Sequence, residues 1–361
     1  MRLLLVNSAW AQSWGGGEKW TVEAAHWFAA HGHETLVVGR PDSRLLQVAE
    51  ARGLTIAETI FGGDFSPPAI WRARALLKNF RADLAMVNFN KEAWQFGIAA
   101  RLAGIPVVAR HGFPLLRRGI HHRWLATGVL SKLVVNAASI REQYRRLGFP
   151  VDKVDVIHNG TALLPQKRGE LRRRFGIADD ALLVLGAGRL EPQKRFDRLL
   201  DIAAALAPRF PQLRVLIAGD GPRREELQQR IHTLTLENHV QLAGFVPDLA
   251  EIAGDADLFL LTSDDEGTPN VLLEAMAAGA ACLSFDVGAV PEIFAGPLAE
   301  SLIPAGDLAA MTARASELLS DDARRAQVAE MMRARIAAEF SVDYSMSRFE
   351  SLFQRILQAR P

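Results

Sequence analysis

The residues best suited to chemistry in this 361-residue chain lie in Ser263-Asp264-Asp265-Glu266-Gly267-Thr268-Pro269-Asn270, which leads into an apolar stretch carrying Glu274 and ending at Gly279. The pattern reads as a strand, a short polar loop and a helix. Thr268 suits the N-cap, Pro269 the first helical position and Gly279 the C-cap. The unbonded N–H groups of such a first turn, with the helix dipole behind them, make an anion site. Glu266 falls in the loop and Glu274 inside the helix, so both carboxylates can face one cleft from different heights. Charged acceptors beside a phosphate site suit ligand hydroxyls. Alone, the two glutamates read more readily as a loop carboxylate near the helix dipole and an exposed helix residue, since carboxylates are common in such places.

A second segment repeats the layout. Gly186-Ala187-Gly188-Arg189-Leu190-Glu191-Pro192-Gln193-Lys194 again runs from strand to loop to helix, and sets Arg189 and Lys194 at the strand's carboxyl end. Two cations there could neutralise a pyrophosphate. Gly-Ala-Gly is a weak dinucleotide-like signal, because the third glycine of the usual fingerprint is missing. On this segment alone, ordinary surface charges explain Arg189 and Lys194 as well.

The elements that position these residues follow from periodicity. In the N-terminal half, strands are expected at 2–6, 35–38, 83–87 and 107–109, with a helix after Gly15-Gly16-Gly17 whose apolar positions Trp20, Ala24, Trp27 and Phe28 recur at helical spacing and which ends at Gly32. The second half restarts, with strands at 181–185, 213–218, 240–242, 257–261 and 281–285 and helices at 196–207, 223–233 and 269–278. Strand–helix alternation implies α/β architecture: two doubly wound parallel sheets, each covered by helices, with a ligand cleft at the carboxyl ends of their strands. The seam falls near 163–174, giving domains 1–164 and 165–340. A tail, 341–361, reads as a helix with Phe349, Leu352, Phe353, Ile356 and Leu357 on one face. Its packing back on the first domain is one of the placements the pattern allows.

Bulk properties narrow the class. Two domains of roughly 150–200 residues are the prior for this length. Apolar residues form 49% and charged residues 23%, an ordinary globular composition. The single cysteine, Cys282, rules out an internal disulfide and a cysteine zinc cluster, and its apolar neighbours suit a core residue. The apolar run at residues 3–6 is too short for a signal peptide, and no stretch approaches the ~18–20 apolar residues that span a bilayer, so a cytoplasmic location is expected. The net charge of +1 hides an asymmetry: residues 1–164 carry 20 Lys/Arg against 12 Asp/Glu, and residues 165–361 carry 22 against 29. A basic half attracts anions, yet no nucleic-acid module or stacking motif is present and the acidic half interrupts any long basic track, so no nucleic-acid partner is expected.

In order along nearly the whole chain stand Gly15-Gly16-Gly17-Glu18, Arg110-His111-Gly112, Val156-Ile157-His158-Asn159-Gly160, Gly188-Arg189-Leu190 with Lys194, Ala218-Gly219-Asp220-Gly221-Pro222, Gly244-Phe245-Val246, and Glu266-Gly267-Thr268-Pro269-Asn270 with Glu274. Together these segments resemble glycosyltransferase family 4, retaining enzymes of the GT-B fold, whose two Rossmann-like domains face a central cleft. The paired glutamates are the most specific match and Gly15-Gly16-Gly17 the least. The resemblance implies that Glu266 holds donor-sugar hydroxyls, Glu274 the ribose, and Arg189 and Lys194 the pyrophosphate. Gly16 and Gly17 then approach the phosphates by main chain, with Gly15 and Glu18 on the acceptor side and His111 near the donor sugar. Gly188 belongs to the donor loop, Gly244, Phe245 and Val246 border the base, and Gly267, Thr268, Pro269 and Asn270 complete the donor site. The family often has aspartate where Ala162 stands, and Phe or Leu where Thr268 stands.

The implied reaction is transfer of a sugar from a nucleoside diphosphate, UDP or GDP, to a sugar or lipid-linked hydroxyl acceptor with retained configuration, in polysaccharide, lipopolysaccharide or glycolipid synthesis. Arg189, Lys194, Glu266 and His111 are the catalytic candidates. No cofactor and no metal are expected. Apolar and basic residues mix over 113–132 (Leu115, Leu116, Arg117, Arg118, Ile120, Arg123, Trp124, Leu125, Val129, Leu130, Lys132), which fits a helix on the inner, anionic face of the cytoplasmic membrane and equally an ordinary amphipathic helix. Alternatives are a sugar-nucleotide epimerase of the same fold and a non-enzymatic binder of nucleotides or nucleic acid.

Overall fold

The structure is a computed structural model describing residues 1–116 and 119–359. Among these residues the chain divides into two compact units, one of Met1–His158 with the chain from Asp343 on, the other Asn159–Val342.

The first unit is built on β1 (Arg2–Val6), β2 (Glu34–Gly39), β3 (Ile56–Glu58), β4 (Leu84–Val87), β5 (Val107–His111), β6 (Lys132–Val135) and β7 (Val154–Val156). They form one parallel sheet in the order β3-β2-β1-β4-β5-β6-β7. Leu3, Leu4, Leu5 and Val6 of the central strand are all buried. Helices cover both faces of such a sheet, so the strand reads as a continuous apolar run rather than an alternating one. The short strands β3, β6 and β7 were not anticipated, since three or four residues carry too few side chains to show a period.

The second unit holds β8 (Leu182–Ala187), β9 (Leu213–Ala218), β10 (Val240–Gly244), β11 (Leu258–Leu261), β12 (Ala281–Phe285) and β13 (Leu302–Ile303). Its order is β10-β9-β8-β11-β12-β13, again parallel throughout. Both sheets are wound alike: the chain starts in the middle, moves to one edge, then returns and fills the other side. The reversals fall between β1 and β4 and between β8 and β11, where an open α/β sheet leaves a crevice at its carboxyl edge. Cys282 lies fully buried in the second core, where burial raises its thiol pKa well above the usual value.

The C-terminal helix, Val342–Gln358, packs on helix Gly16–Ala30 of the first unit. The Phe349 ring lies 5.2 Å from Trp20 and the Phe353 ring 5.6 Å from Phe28, while Trp27 Nε1 donates to Asp343 Oδ1 at 2.7 Å and His33 Nε2 meets Glu350 Oε1 at 2.9 Å. In helix Gly16–Ala30 the C-cap is His31, one residue earlier than expected, and Gly32 follows it with φ +82°.

The stretch 113–132 departs from the single surface helix expected there. Helix Ile120–Trp124 runs into a π-turn at Leu125–Val129, and β6 begins at Lys132. Leu116, Leu125, Val129 and Leu130 are buried, so the fold itself uses most of the apolar residues counted toward a membrane face; Phe113 and Trp124 are exposed. Arg117 and Arg118, two of its basic residues, lie outside the described residues. No described helix is long and apolar enough to cross a membrane.

Candidate active site

In the second unit the switch-point loops follow β8 and β11. After β8 the chain passes Gly188 and Arg189, makes a single 3₁₀ turn at Pro192–Lys194, and reverses at Arg195, whose φ of +49° is left-handed. Thr262 Oγ1 donates to the Lys194 carbonyl at 3.1 Å, and Asp264 N donates to Gln193 O at 2.9 Å, so the loop after β11 clamps this turn. The Lys194 ammonium then reaches Glu266 Oε1 at 2.6 Å, and Ser263 Oγ donates to the same oxygen at 2.6 Å. The Glu266 side chain is 7% exposed and that of Lys194 20%. Two charges so far removed from water need each other, which makes this pair the electrostatic centre of the unit.

Glycines let these loops approach. Gly219 and Gly221, after β9, press on the β8 loop: a Cβ on Gly219 would stand 1.8 Å from the Gly188 carbonyl oxygen, and one on Gly221 2.7 Å from Leu190 N. Leu190 N donates to Asp220 O and Gly219 N to Gly244 O, joining the ends of β8, β9 and β10. Gly288, after β12, meets the Glu266 backbone in the same way, at 1.6 Å from its carbonyl oxygen. The motif around Gly219 was visible in the sequence, although its packing role was not. Gly288 carried no local signal.

Helix Asn270–Ala278 carries the rest of the segment. Pro269 is its N-cap and Asn270 its first residue, so Thr268 lies just outside and does not serve as the cap. Thr268 is buried, and Gly267 is half-buried. The Pro269 carbonyl takes the first helical bond, from Leu272 N at 3.0 Å, which moves the cap one residue along the chain. Asn159 Nδ2 donates to Asn270 Oδ1 at 3.1 Å, which ties the Asn159-Gly160 segment to this helix start. Glu274 is half-buried on the helix, and Gly279 ends it with φ +92°. Phe245 stands 65% exposed just past β10, between Gly244 with φ +73° and buried Val246. Arg189 does not join Lys194. Its side chain is 77% exposed and paired with Glu191 Oε1 at 2.8 Å. The neighbouring Arg195 is held by Asp197 and Asp264, which raise its pKa.

In the first unit, Gly15 caps helix Gly16–Ala30 and Gly17 lies in its first turn. Glu18 is buried, and both its oxygens are engaged: Oε2 accepts from Gly15 N at 2.9 Å and Oε1 from Ser13 Oγ at 2.8 Å. Its carboxylate therefore shapes the glycine turn. His111 ends β5, fully buried, with Nδ1 2.8 Å from the Tyr144 hydroxyl. Burial, then the charges of Arg110 and His122, push its pKa down to about 3. Glu92, which nothing in the sequence marked, is buried beside the switch point and accepts from the backbone N–H groups of Ser8, Asn88 (2.6 Å) and Phe89 (3.2 Å). Burial outweighs those bonds and raises its pKa to about 7. No cluster of metal ligands occurs among the described residues.

Known protein families match both units. The family model for Glycosyltransferase Family 4 matches residues 14–163, and that for Glycosyl transferases group 1 matches residues 167–335. The chain belongs to glycosyltransferase family 4. This glycosyltransferase is 24% identical over 68% of its length to the N-acetyl-alpha-D-glucosaminyl L-malate synthase of Bacillus anthracis, of which the match covers 63%. It is 25% identical to the lipopolysaccharide core biosynthesis glycosyltransferase LpsD of Rhizobium meliloti, over 93% of this chain and 95% of that one. The match spans 63% of the Bacillus anthracis relative's length, and 18% and 50% of the lengths of two further relatives. The crystal structure of Anabaena Alr3699/HepE in complex with UDP superposes with a TM-score of 0.86 at 21% identity, covering 98% of this chain and 100% of that one. The fold is GT-B.

Proposed function

We propose that this glycosyltransferase moves a sugar from a nucleoside-diphosphate sugar to a hydroxyl of a cell-surface glycan or glycolipid, with retention at the anomeric carbon. The observation that carries the reading is the Lys194–Glu266 pair at the carboxyl edge of the second sheet. A donor can exchange into it: its diphosphate takes the ammonium, and its sugar hydroxyls donate to the carboxylate. Arg189, exposed two residues past β8, can turn from Glu191 to the same diphosphate. Glu274 would take the ribose and Phe245 and Val246 the base. Within the first unit, Gly16 and Gly17 would meet phosphate by main chain and His111 a sugar hydroxyl, with Gly15 on the acceptor side.

In the reaction the anomeric carbon's bond to the diphosphate oxygen breaks and the electron pair stays on that oxygen. The acceptor oxygen bonds to the same face of the carbon, and its proton passes to the leaving phosphate. Lys194, Arg189 and the free N–H groups at Asn270 stabilise the developing charge, a role that asks for no metal. Turnover is therefore expected to survive EDTA.

UDP-sugars are the first donors to test, because HepE is seen with UDP. Relatives named for lipopolysaccharide core and amylovoran biosynthesis support a sugar or lipid-linked acceptor. With a lipid-linked acceptor the enzyme would work at the cytoplasmic face of the membrane. A binding and hydrolysis screen over UDP-, GDP- and ADP-sugars tests the reading, with NMR of the product's anomeric configuration. One base bound, with hydrolysis lost in Lys194→Ala, is expected. Binding of none would overturn it, and donor conversion to its epimer without acceptor would replace transfer by epimerisation.

A further inference from the structure

His111 and Tyr144 stand 33 residues apart, on β5 and on helix Ala138–Arg146, and meet inside the first unit. The Tyr144 ring is fully buried, and its hydroxyl is the hub of three contacts. Leu115 N donates to it at 2.9 Å and Leu116 N at 3.3 Å, and His111 Nδ1 lies 2.8 Å away. A phenol oxygen has one proton and two lone pairs. Two backbone N–H groups occupy the lone pairs, and a backbone N–H cannot act as an acceptor. The hydroxyl proton therefore has one outlet, His111 Nδ1, which must present its own lone pair. The ring is then neutral and carries its proton on Nε2. That nitrogen is buried and has no hydrogen-bond partner among the described residues.

We propose that Tyr144 is a positioning residue that fixes His111 as the neutral Nε2–H tautomer, so that the ring offers the carboxyl edge of the first sheet a hydrogen-bond donor and cannot act as a base. An imidazolium would need Nδ1–H to donate to an oxygen that already accepts twice. The charged and titratable groups around the ring act in the same direction: Arg110 next to it on β5 and His122 on helix Ile120–Trp124 both disfavour a further positive charge, and Tyr144 carries none. Burial raises the Tyr144 hydroxyl to about 12, so it keeps its proton through the physiological range. A buried N–H aimed at no protein acceptor fits a ligand oxygen, such as a hydroxyl or carbonyl. It also means that a hydroxyl proton released at this edge must go to some group other than His111.

The test is ¹⁵N NMR of the full chain with labelled imidazoles, with the His111 signal among the nine histidines assigned by its loss in His111→Gln. The expected wild-type ring has protonated Nε2 and bare Nδ1, unchanged between about pH 8 and 5, where a free imidazole would titrate. In Tyr144→Phe the packing ring stays while the donor to Nδ1 is gone, so the tautomers should mix, while burial and the charges of Arg110 and His122, which the substitution leaves in place, keep the ring neutral. A wild-type ring protonated at Nδ1, or titrating near its ordinary value, overturns the proposal. So does a Tyr144→Phe ring indistinguishable from wild type. If Tyr144→Phe does not fold, the wild-type tautomer alone decides. No nucleotide sugar or turnover enters the measurement, so its failure leaves the transferase reading standing, and the reverse also holds.

Discussion

Glu92 and Glu266 occupy equivalent places in the two sheets. Each lies five residues past the end of its sheet's fourth strand, Val87 of β4 and Leu261 of β11, beside the switch point. Both are buried. Their partners differ in kind. Glu92 takes three backbone N–H groups from the loops after β1 and β4. Glu266 takes an ammonium and a hydroxyl, both on side chains. Backbone donors cannot leave without moving the loop, so the Glu92 carboxylate fastens two loops together. Side-chain donors can rotate toward a ligand at little cost to the fold, so the Glu266 carboxylate can exchange partners. One winding thus yields a backbone staple in the first unit and a side-chain pair able to exchange partners in the second.

Replacing Lys194 is the strongest way to test the second half of that contrast. Lys194→Ala should lower turnover by about 10²–10³-fold, the usual effect of removing one group that stabilises leaving-group charge, and should also lower the melting temperature of the second unit, because the buried Glu266 carboxylate loses its ammonium. Unchanged kinetics with whichever nucleotide sugar is bound would remove the exchange role.

Glu92→Ala should instead act on stability. It strands the buried Asn88 N–H and the partly buried N–H groups of Ser8 and Phe89, at up to ~1–3 kcal/mol each, so a loss of about 3 kcal/mol is expected. Every tryptophan lies between residues 10 and 124, so urea unfolding followed by intrinsic fluorescence reads the first unit alone. A loss no greater than that of Glu266→Ala, measured by calorimetry, would erase the distinction.

The same carboxylate predicts a pH dependence. Its folded pKa, raised from 4.5 to about 7 by burial, means that its contribution to stability is complete below about pH 4.5 and is lost as the pH rises through 7. Fluorescence-detected melting should fall across that window in the wild type and flatten in Glu92→Gln. A wild-type profile that instead rises with pH would show that the three N–H donors outweigh burial.

The smallest effect belongs to Arg189, whose side chain is 77% exposed. Arg189→Ala should leave stability within ~0.5 kcal/mol and weaken donor binding by roughly tenfold, read by calorimetric titration. A loss as large as that of Lys194→Ala would move Arg189 into the centre of the site.

The contrast also shows how far local pattern reaches. The Glu266–Glu274 segment announced itself through its turn residues, its helix period and a terminal glycine. Glu92 did not, because Phe89 holds the N-cap position and offers no capping side chain to notice. The cap placed on Thr268 belongs to Pro269, a one-residue shift that propensity does not resolve. The stretch 113–132 mixes apolar and basic residues as a surface helix would, yet Leu125, Val129 and Leu130 point into the core, which the composition of a window does not reveal.

By itself the sequence determined two successive α/β windings, the loops that end β8 and β11, and the presence of Lys194 and Glu266 in them. These follow from hydrophobic period and turn residues, which act over a few positions. Only the tertiary structure decided that Lys194 meets Glu266 across 72 residues, that Arg189 turns to Glu191, that Gly219 lies against Gly188, and that Tyr144 faces His111. The reason is physical: parallel strands bring the carboxyl ends of distant segments to one edge, and which side chains meet there depends on how the loops pack, down to a glycine's missing Cβ.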